Sequence, residues 1–159
     1  MKLTTKGRYA VQALADIASN GACDEPVALS DVAGRQGISA GYLEQLFAKL
    51  RRAGLVKSVR GVTGGYSLGR GAEAIRVSEI VAAVDEEIRT MACEGKSGGC
   101  AGGGARCLTH DLWDELGRQI EIFLNAVTLA DIVERRVLGM AAVNSPARGE
   151  TMNAGNAAL

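Results

Sequence analysis

Nowhere does the chain contain the run of about eighteen apolar residues that a membrane-spanning helix needs. Its first residues, Met1-Lys2-Leu3-Thr4-Thr5-Lys6, have no apolar core of the signal-peptide kind, so the expected location is the cytoplasm. Thiols are kept reduced there, and the four cysteines are therefore not read as a disulfide framework. No Cys-x-x-Cys pair, no internal repeat and no nucleophile–base pair occurs. There is one histidine, and it has a better use as a ligand, so an enzyme is not expected. Net charge is absent too, with 18 basic residues against 18 acidic ones.

Dividing the chain shows what that zero conceals. Residues 1–72 carry ten basic and five acidic side chains, and the remainder carries eight and thirteen. A basic front half is the electrostatic footprint expected of a protein that meets a polyanion, although ordinary surface scatter gives the same arithmetic. The 159 residues, 47% of them hydrophobic, suffice for one compact domain with an appendage.

The apolar spacing of Tyr9, Ala10, Ala13, Leu14 and Ile17 predicts a first helix over residues 5–19. A short extended stretch at residues 27–29 follows, then a second helix capped by Ser30 and ended by Gly37. Ser39 caps a third helix, which runs to about residue 53 with Leu43, Leu46, Phe47 and Leu50 inward and Gly54 as its left-handed terminator. Residues 55–59 and 66–68 read as a hairpin around a glycine-rich tip that includes Gly61, Gly64 and Gly65. The predicted fold is mostly α with a small β-hairpin wing: a winged helix-turn-helix plus a long dimerisation helix. The expected organisation is a DNA-binding domain at 1–72, a connecting helix capped by Ser78 and linker at 73–92, and a glycine-rich loop at 93–110. Dimerisation helices at 111–138 and a disordered tail at 139–159 complete it. Thr109 can cap the long helix, and Thr128 with Asp131 forms a capping box for a last helix through Leu138. Trp113, Leu116, Ile120, Phe123 and Val127 recur at steps of three and four, an apolar seam that fits a second copy of the same helix.

Cys93, Cys100, Cys107 and His110 form a C-x6-C-x6-C-x2-H array inside one loop, where six of eighteen residues are glycine. Thiolate and imidazole donors suit zinc or an iron–sulfur cluster. Convergence of four ligands from one short loop needs the tight and left-handed turns that glycine supplies. Structural zinc sites favour closely paired cysteines, so gaps of six favour a cluster, though weakly. A histidine in place of a thiolate raises the cluster potential and makes ligation pH-sensitive. Cys23 stands apart and is not counted as a ligand.

At the basic end, Glu44 and Gln45 fall outside the apolar set of the third helix. They have the chemistry to read cytosine and adenine, or they form a solvated face. Arg60, at the base of the glycine tip, suits a narrow minor groove. Lys6, Arg8, Lys49, Arg51 and Arg52 are candidate phosphate contacts.

Three separated runs now identify a likeness. They are Leu3-Thr4-Thr5-Lys6-Gly7-Arg8-Tyr9-Ala10-Val11, then Gly37-Ile38-Ser39 through Tyr42-Leu43-Glu44-Gln45-Leu46-Phe47, then Val59-Arg60-Gly61 with Gly64-Gly65-Tyr66. Together they resemble the Rrf2 family of winged-helix regulators. The cysteine–histidine array, with Leu112-Trp113 after it, resembles the iron–sulfur cluster regulators within that family. The likeness covers about residues 1–138. It implies a homodimer on a roughly palindromic double-stranded DNA operator, with Tyr42, Glu44, Gln45, Arg60, Gly61 and Gly64 at the DNA. It also implies one [2Fe–2S] cluster per chain on Cys93, Cys100, Cys107 and His110, and repression of cluster-assembly genes when the cluster is bound. Such relatives carry five residues between successive cysteines, and this chain carries six in both gaps. Gly41 stands where relatives can carry serine, which removes one DNA contact. The alternatives are an iron- or nitric-oxide-responsive regulator with a [4Fe–4S] cluster, a cluster carrier or electron-transfer protein, and a zinc-stabilised winged helix.

Overall fold

The computed structural model describes residues 5–21, 25–61, 64–84 and 107–139. Helix α1 (Thr5–Asn20) is followed by α2 (Leu29–Gln36), α3 (Ala40–Arg52) and the strands β1 (Val56–Val59) and β2 (Gly65–Leu68). A 3-10 turn (Ala72–Ala74) leads into α4 (Val77–Ala83), and α5 (His110–Ala126) and α6 (Leu129–Val133) complete the order. The strands pair antiparallel with Val56 opposite Leu68 and Val59 opposite Gly65. Three helices and a hairpin in this order make the winged helix-turn-helix.

One apolar core joins these pieces. Ala10, Ala13, Leu14 and Ile17 of α1 meet Leu43, Leu46, Phe47 and Leu50 of α3, and Ile75, Ile80 and Val84 close the cluster from α4 and its approach. Phe47 lies edge-on to Tyr66 with ring centres 4.9 Å apart, which clamps the wing to α3. Val27 exchanges two backbone hydrogen bonds of 2.8 Å with Tyr66 and so adds a one-residue rung on the other edge of β2. Gly65 makes that approach possible, because a Cβ there would stand 2.4 Å from the Val27 carbonyl oxygen.

Several predicted boundaries shift for identifiable reasons. Helix α2 starts at Leu29 with Ala28 as its uncapped N-cap, so Ser30 is inside the helix and not its cap. The Val27–Tyr66 rung pins the extended chain, and the Ala28 carbonyl then accepts from both Asp31 and Val32. Gly37 (φ 64°) ends α2 and Gly54 (φ 74°) follows α3, as glycine spacing predicts. Ser39 caps α3, its hydroxyl accepting from the Tyr42 N–H at 3.3 Å. Helix α4 starts one residue before Ser78, with Arg76 as N-cap and the Glu79 carboxylate accepting from its N–H at 2.9 Å. Thr109 stands at the N-cap of α5 without a side-chain cap bond.

The last helix is shorter than expected and ends at Val133. Arg135 takes a left-handed φ of 57°, and the Arg136 N–H returns to the Asp131 carbonyl at 2.8 Å while Arg135 returns to Ile132 at 3.1 Å. This is a Schellman stop built without the glycine that would announce it. The Thr128–Asp131 capping box forms at the other end, with the Asp131 carboxylate accepting from the Thr128 hydroxyl at 2.6 Å and its N–H at 2.9 Å.

The Thr128 hydroxyl and N–H, then the Arg136 guanidinium, hold the Asp131 carboxyl down to about 2. A depressed carboxyl contributes stability above its unfolded value of about 3.9 and loses it as pH falls toward the folded value. Asp131→Asn is therefore expected to lower the thermal midpoint at neutral pH, with the gap from wild type closing below about pH 4. Melting both proteins by circular dichroism across that range checks this. A gap that persists unchanged to pH 2 would contradict the assignment.

Candidate nucleic-acid interface and ligand segment

Recognition chemistry at the basic end begins with how α3 is seated. Four apolar residues at positions 43, 46, 47 and 50 bury one face, and the opposite face carries exposed Glu44 and Gln45. Helical periodicity forces this separation, since steps of three and four return to the buried side and positions 44 and 45 fall between them. Tyr42 is half-buried and leans edge-on against Tyr9 at 6.0 Å between ring centres, so its ring bridges α1 and the start of α3. The basic last turn of α3, Lys49, Arg51 and Arg52, is favoured by the negative end of the helix dipole. Arg51 also reaches the wing, its guanidinium donating to Ser58 Oγ at 3.4 Å.

The wing places Arg60 and Gly61 in solvent, next to exposed Val59. Gly61 adopts φ 130°, and the Gly64 N–H closes the tip by donating to its carbonyl at 3.0 Å. A Cβ on Gly64 would stand 2.7 Å from the Val59 carbonyl oxygen, so both glycines are required by the turn. Lys6 and Arg8 are exposed on the first turns of α1. The structure thus puts Lys6, Arg8, Glu44, Gln45, Arg51, Arg52 and Arg60 at the surface, with Lys49 partly covered.

The candidate ligands divide. Cys93 and Cys100 lie outside the described residues, as does Cys23. Cys107 is a half-buried thiol free of any disulfide, and His110 is the first residue of α5. They share one turn: the His110 N–H donates to the Cys107 carbonyl at 3.0 Å, and the Cys107 sulfur lies 3.6 Å from the Thr109 hydroxyl. Thr109 therefore serves the thiol where a helix cap was expected. Among the described residues no group of three or more potential metal ligands is gathered. Soft thiol and borderline imidazole donors on one turn, beside a hydroxyl able to hydrogen-bond sulfur, fit one side of a cluster or zinc site.

Helix α5 has seventeen residues and buries none of them. Leu112, Trp113 and Leu116 are 62%, 42% and 37% exposed, while Ile120 and Phe123 are partly covered. Val127 departs from the expected seam. It is 2% exposed and packs with Val77 and Val81 inside the chain's own second cluster, so it offers no surface to another copy. That end of α5 is tied to α4. Val77 N–H donates to the Val127 carbonyl at 3.0 Å, Leu129 N–H to Ile75 at 2.9 Å, and Arg76 Nη1 to the Ala126 carbonyl at 3.1 Å. Ser78 Oγ adds a bond to Asn125 at 2.6 Å. Sequence reasoning missed this joint, because its backbone pairing carries no residue signature.

No helix among the described residues is long and apolar enough to cross a membrane. The sequence profile of the Rrf2 family, described as an iron-dependent transcriptional regulator, matches residues 3–135. The HTH-type transcriptional regulator IscR of Yersinia pseudotuberculosis is 54% identical over 136 residues, covering 86% of this chain and 81% of the relative. The solved structure of T. potens IscR superposes with a TM-score of 0.68 at 38% identity, covering 86% of this chain and 88% of that one. CymR, the global cysteine regulator of B. subtilis, gives a TM-score of 0.72 at 30% identity over 85% and 98% of the two chains. These relatives are regulators, a non-enzymatic role. Winged recognition helix, basic wing and family profile agree, and the chain belongs to the Rrf2 family as an IscR-like transcriptional regulator.

Proposed function

We propose that this protein is an iron–sulfur-cluster-sensing regulator of the cytoplasm. In this reading it is a homodimer that holds one [2Fe–2S] cluster per chain on Cys93, Cys100, Cys107 and His110. It represses cluster-assembly genes when loaded. The observation that carries the reading is the position of Cys107 and His110 on the turn that leads into α5, a helix whose far end is hydrogen-bonded to α4 beside the winged unit. Ligation at one end of a helix anchored at the other couples ligand state to the DNA-reading half. A bound cluster supplies one-electron chemistry and sensitivity to oxidants and iron supply. The chain's own residues supply the thiol and imidazole donors, and Thr109 holds the Cys107 sulfur.

On DNA, α3 lies in the major groove with Glu44 and Gln45 at base edges, and Arg60 with Gly61 and Gly64 enters the adjacent minor groove. Lys6, Arg8, Lys49, Arg51 and Arg52 meet phosphates, and Tyr42 supports the helix start. The domain division follows: reading in 1–72, ligation in 93–110 and pairing in 111–138. Dimerisation uses Trp113, Leu116, Ile120 and the partly covered Phe123, because an apolar face of this kind marks an interaction site. A two-fold pair sets two recognition helices on a roughly palindromic operator.

Three measurements test these parts. Arg60→Ala is expected to erode the preference for operator over random duplex, while Lys49→Ala weakens both alike and flattens the salt dependence. Equal losses from both would contradict the division. Trp113→Arg is expected to yield a folded monomer by analytical ultracentrifugation. Val127→Ala is expected to keep the dimer and lower stability by about 1–3 kcal/mol, as for a buried apolar truncation. A dimer that survives Trp113→Arg would contradict the seam. After anaerobic purification, iron and sulfide analysis is expected to find two of each per chain, lost in Cys107→Ser and perturbed in His110→Ala. One zinc per chain would replace the cluster by a structural metal, and four irons would favour the [4Fe–4S] regulator.

A further inference from the structure

Asp16 is the only buried charged residue among the described residues, at 5% exposure in the middle of α1. Its carboxylate accepts from Arg35 through Nη2 at 2.6 Å and through Nε at 3.1 Å, and from Gln36 Nε2 at 2.5 Å. Gln12 Nε2 donates in turn to Gln36 Oε1 at 2.8 Å, and Asn20 Nδ2 donates to the Asp16 carbonyl at 2.9 Å. Gln12, Asp16 and Asn20 are four residues apart and share one face of α1. Arg35 and Gln36 are the last two residues of α2, immediately before the left-handed Gly37 that turns the chain into α3.

Helix α2 needs such a clamp. Its eight residues bury one side chain, Val32. Leu29 and Ala33 pack beside it but stay partly exposed, so the apolar contact of this short helix constrains its rotation only in part. A fully satisfied polar network is directional and selects one arrangement. Burial pushes the Asp16 carboxyl up, but the Arg35 and Gln36 donors outweigh it and hold it below its usual value, so the clamp is ionic at neutral pH.

We propose that Asp16, Arg35, Gln36 and Gln12 form a positioning network for operator discrimination. The network fixes the rotation of α2 and, through the Gly37 turn, the angle at which α3 presents Glu44 and Gln45. None of the four reads a base. Arg35, although 39% exposed at its side chain, is held by Asp16 and is not a phosphate contact. The proposal rests on the reading of α3 as the DNA-reading helix.

The test uses the full chain and a duplex that wild type enriches from a random pool, with fluorescence anisotropy at several salt concentrations. Asp16→Asn keeps the shape and loses the charge, and Gln36→Ala removes one arm only. Both are expected to lose operator affinity on the order of tenfold, comparable to one misread base pair. Random-duplex affinity and the salt slope are expected to hold. Arg35→Lys should retain more discrimination than Arg35→Ala, with the same salt slope. Ile80→Val, a core change remote from the network, should lower the thermal midpoint without loss of discrimination. The proposal is overturned if operator and random affinities fall in parallel, if Ile80→Val matches the network variants, or if Arg35→Ala reduces the salt slope by about one, the signature of a lost phosphate contact. A wild type that enriches no sequence overturns the DNA reading itself. A wild type that discriminates, with variants that do so equally well, overturns the positioning role alone.

Discussion

The structure depends on a short backbone joint, where residues 75–77 pair with residues 127–129. Ile75 and Leu129 on either side of it belong to the main core, and Val77 and Val127 to the smaller cluster beside it. No residue of helix α5 is fully buried, and Phe123 and Leu124 near its end pack on the smaller cluster, so its direction relative to the winged unit is set here. Arg76 reinforces the joint by reaching the Ala126 carbonyl, and the Thr128–Asp131 box starts α6 within one residue of it. A helix held at its C-terminal end, with Cys107 and His110 at the turn that starts it, gives the proposed sensor a lever fixed at one end.

The reading half is constrained differently. Helix α3 is held by four buried apolar side chains, so its seat is determined by the hydrophobic core. Helix α2 has one, and hydrogen bonds to Asp16 complete its orientation. Apolar burial fixes where α3 lies, and in the proposed network polar geometry sets how α2 is turned. Glycines at the wing tip then let backbone approach backbone, next to the exposed Arg60.

Much of this was legible in the sequence because it follows from periodicity and stereochemistry. The α3 core set, the Ser39 cap, the Gly37 and Gly54 stops and the Thr128–Asp131 box each rest on a residue whose side chain, or lack of one, dictates the local backbone. The misplaced starts of α2 and α4 have a common cause: long-range backbone pairing, Val27 with Tyr66 and Val77 with Val127, decides where those helices begin. Such pairing leaves no mark on residue identity. Val127 continued the periodic seam of α5 in sequence, yet the chain leaves the helix there and folds it inward. Arg135 ended α6 in a conformation that only glycine or asparagine would have signalled. Of the candidate ligand array, Cys107 and His110 at the turn that starts α5 are described, and the pairing of Thr109 with the Cys107 sulfur was not legible from spacing.

In the proposed reading, ligand state at the start of α5 changes what the winged unit does on DNA. One preparation tests it most directly: the anaerobic protein, its affinity for an enriched operator and for a second, weaker site measured before and after the iron is removed by chelation. The ratio of the two affinities is expected to change by at least about tenfold, a coupling of about 1.4 kcal/mol. Identical affinities for both sites in the two states would mean that the cysteine–histidine segment and the reading helix are energetically independent, and would contradict it.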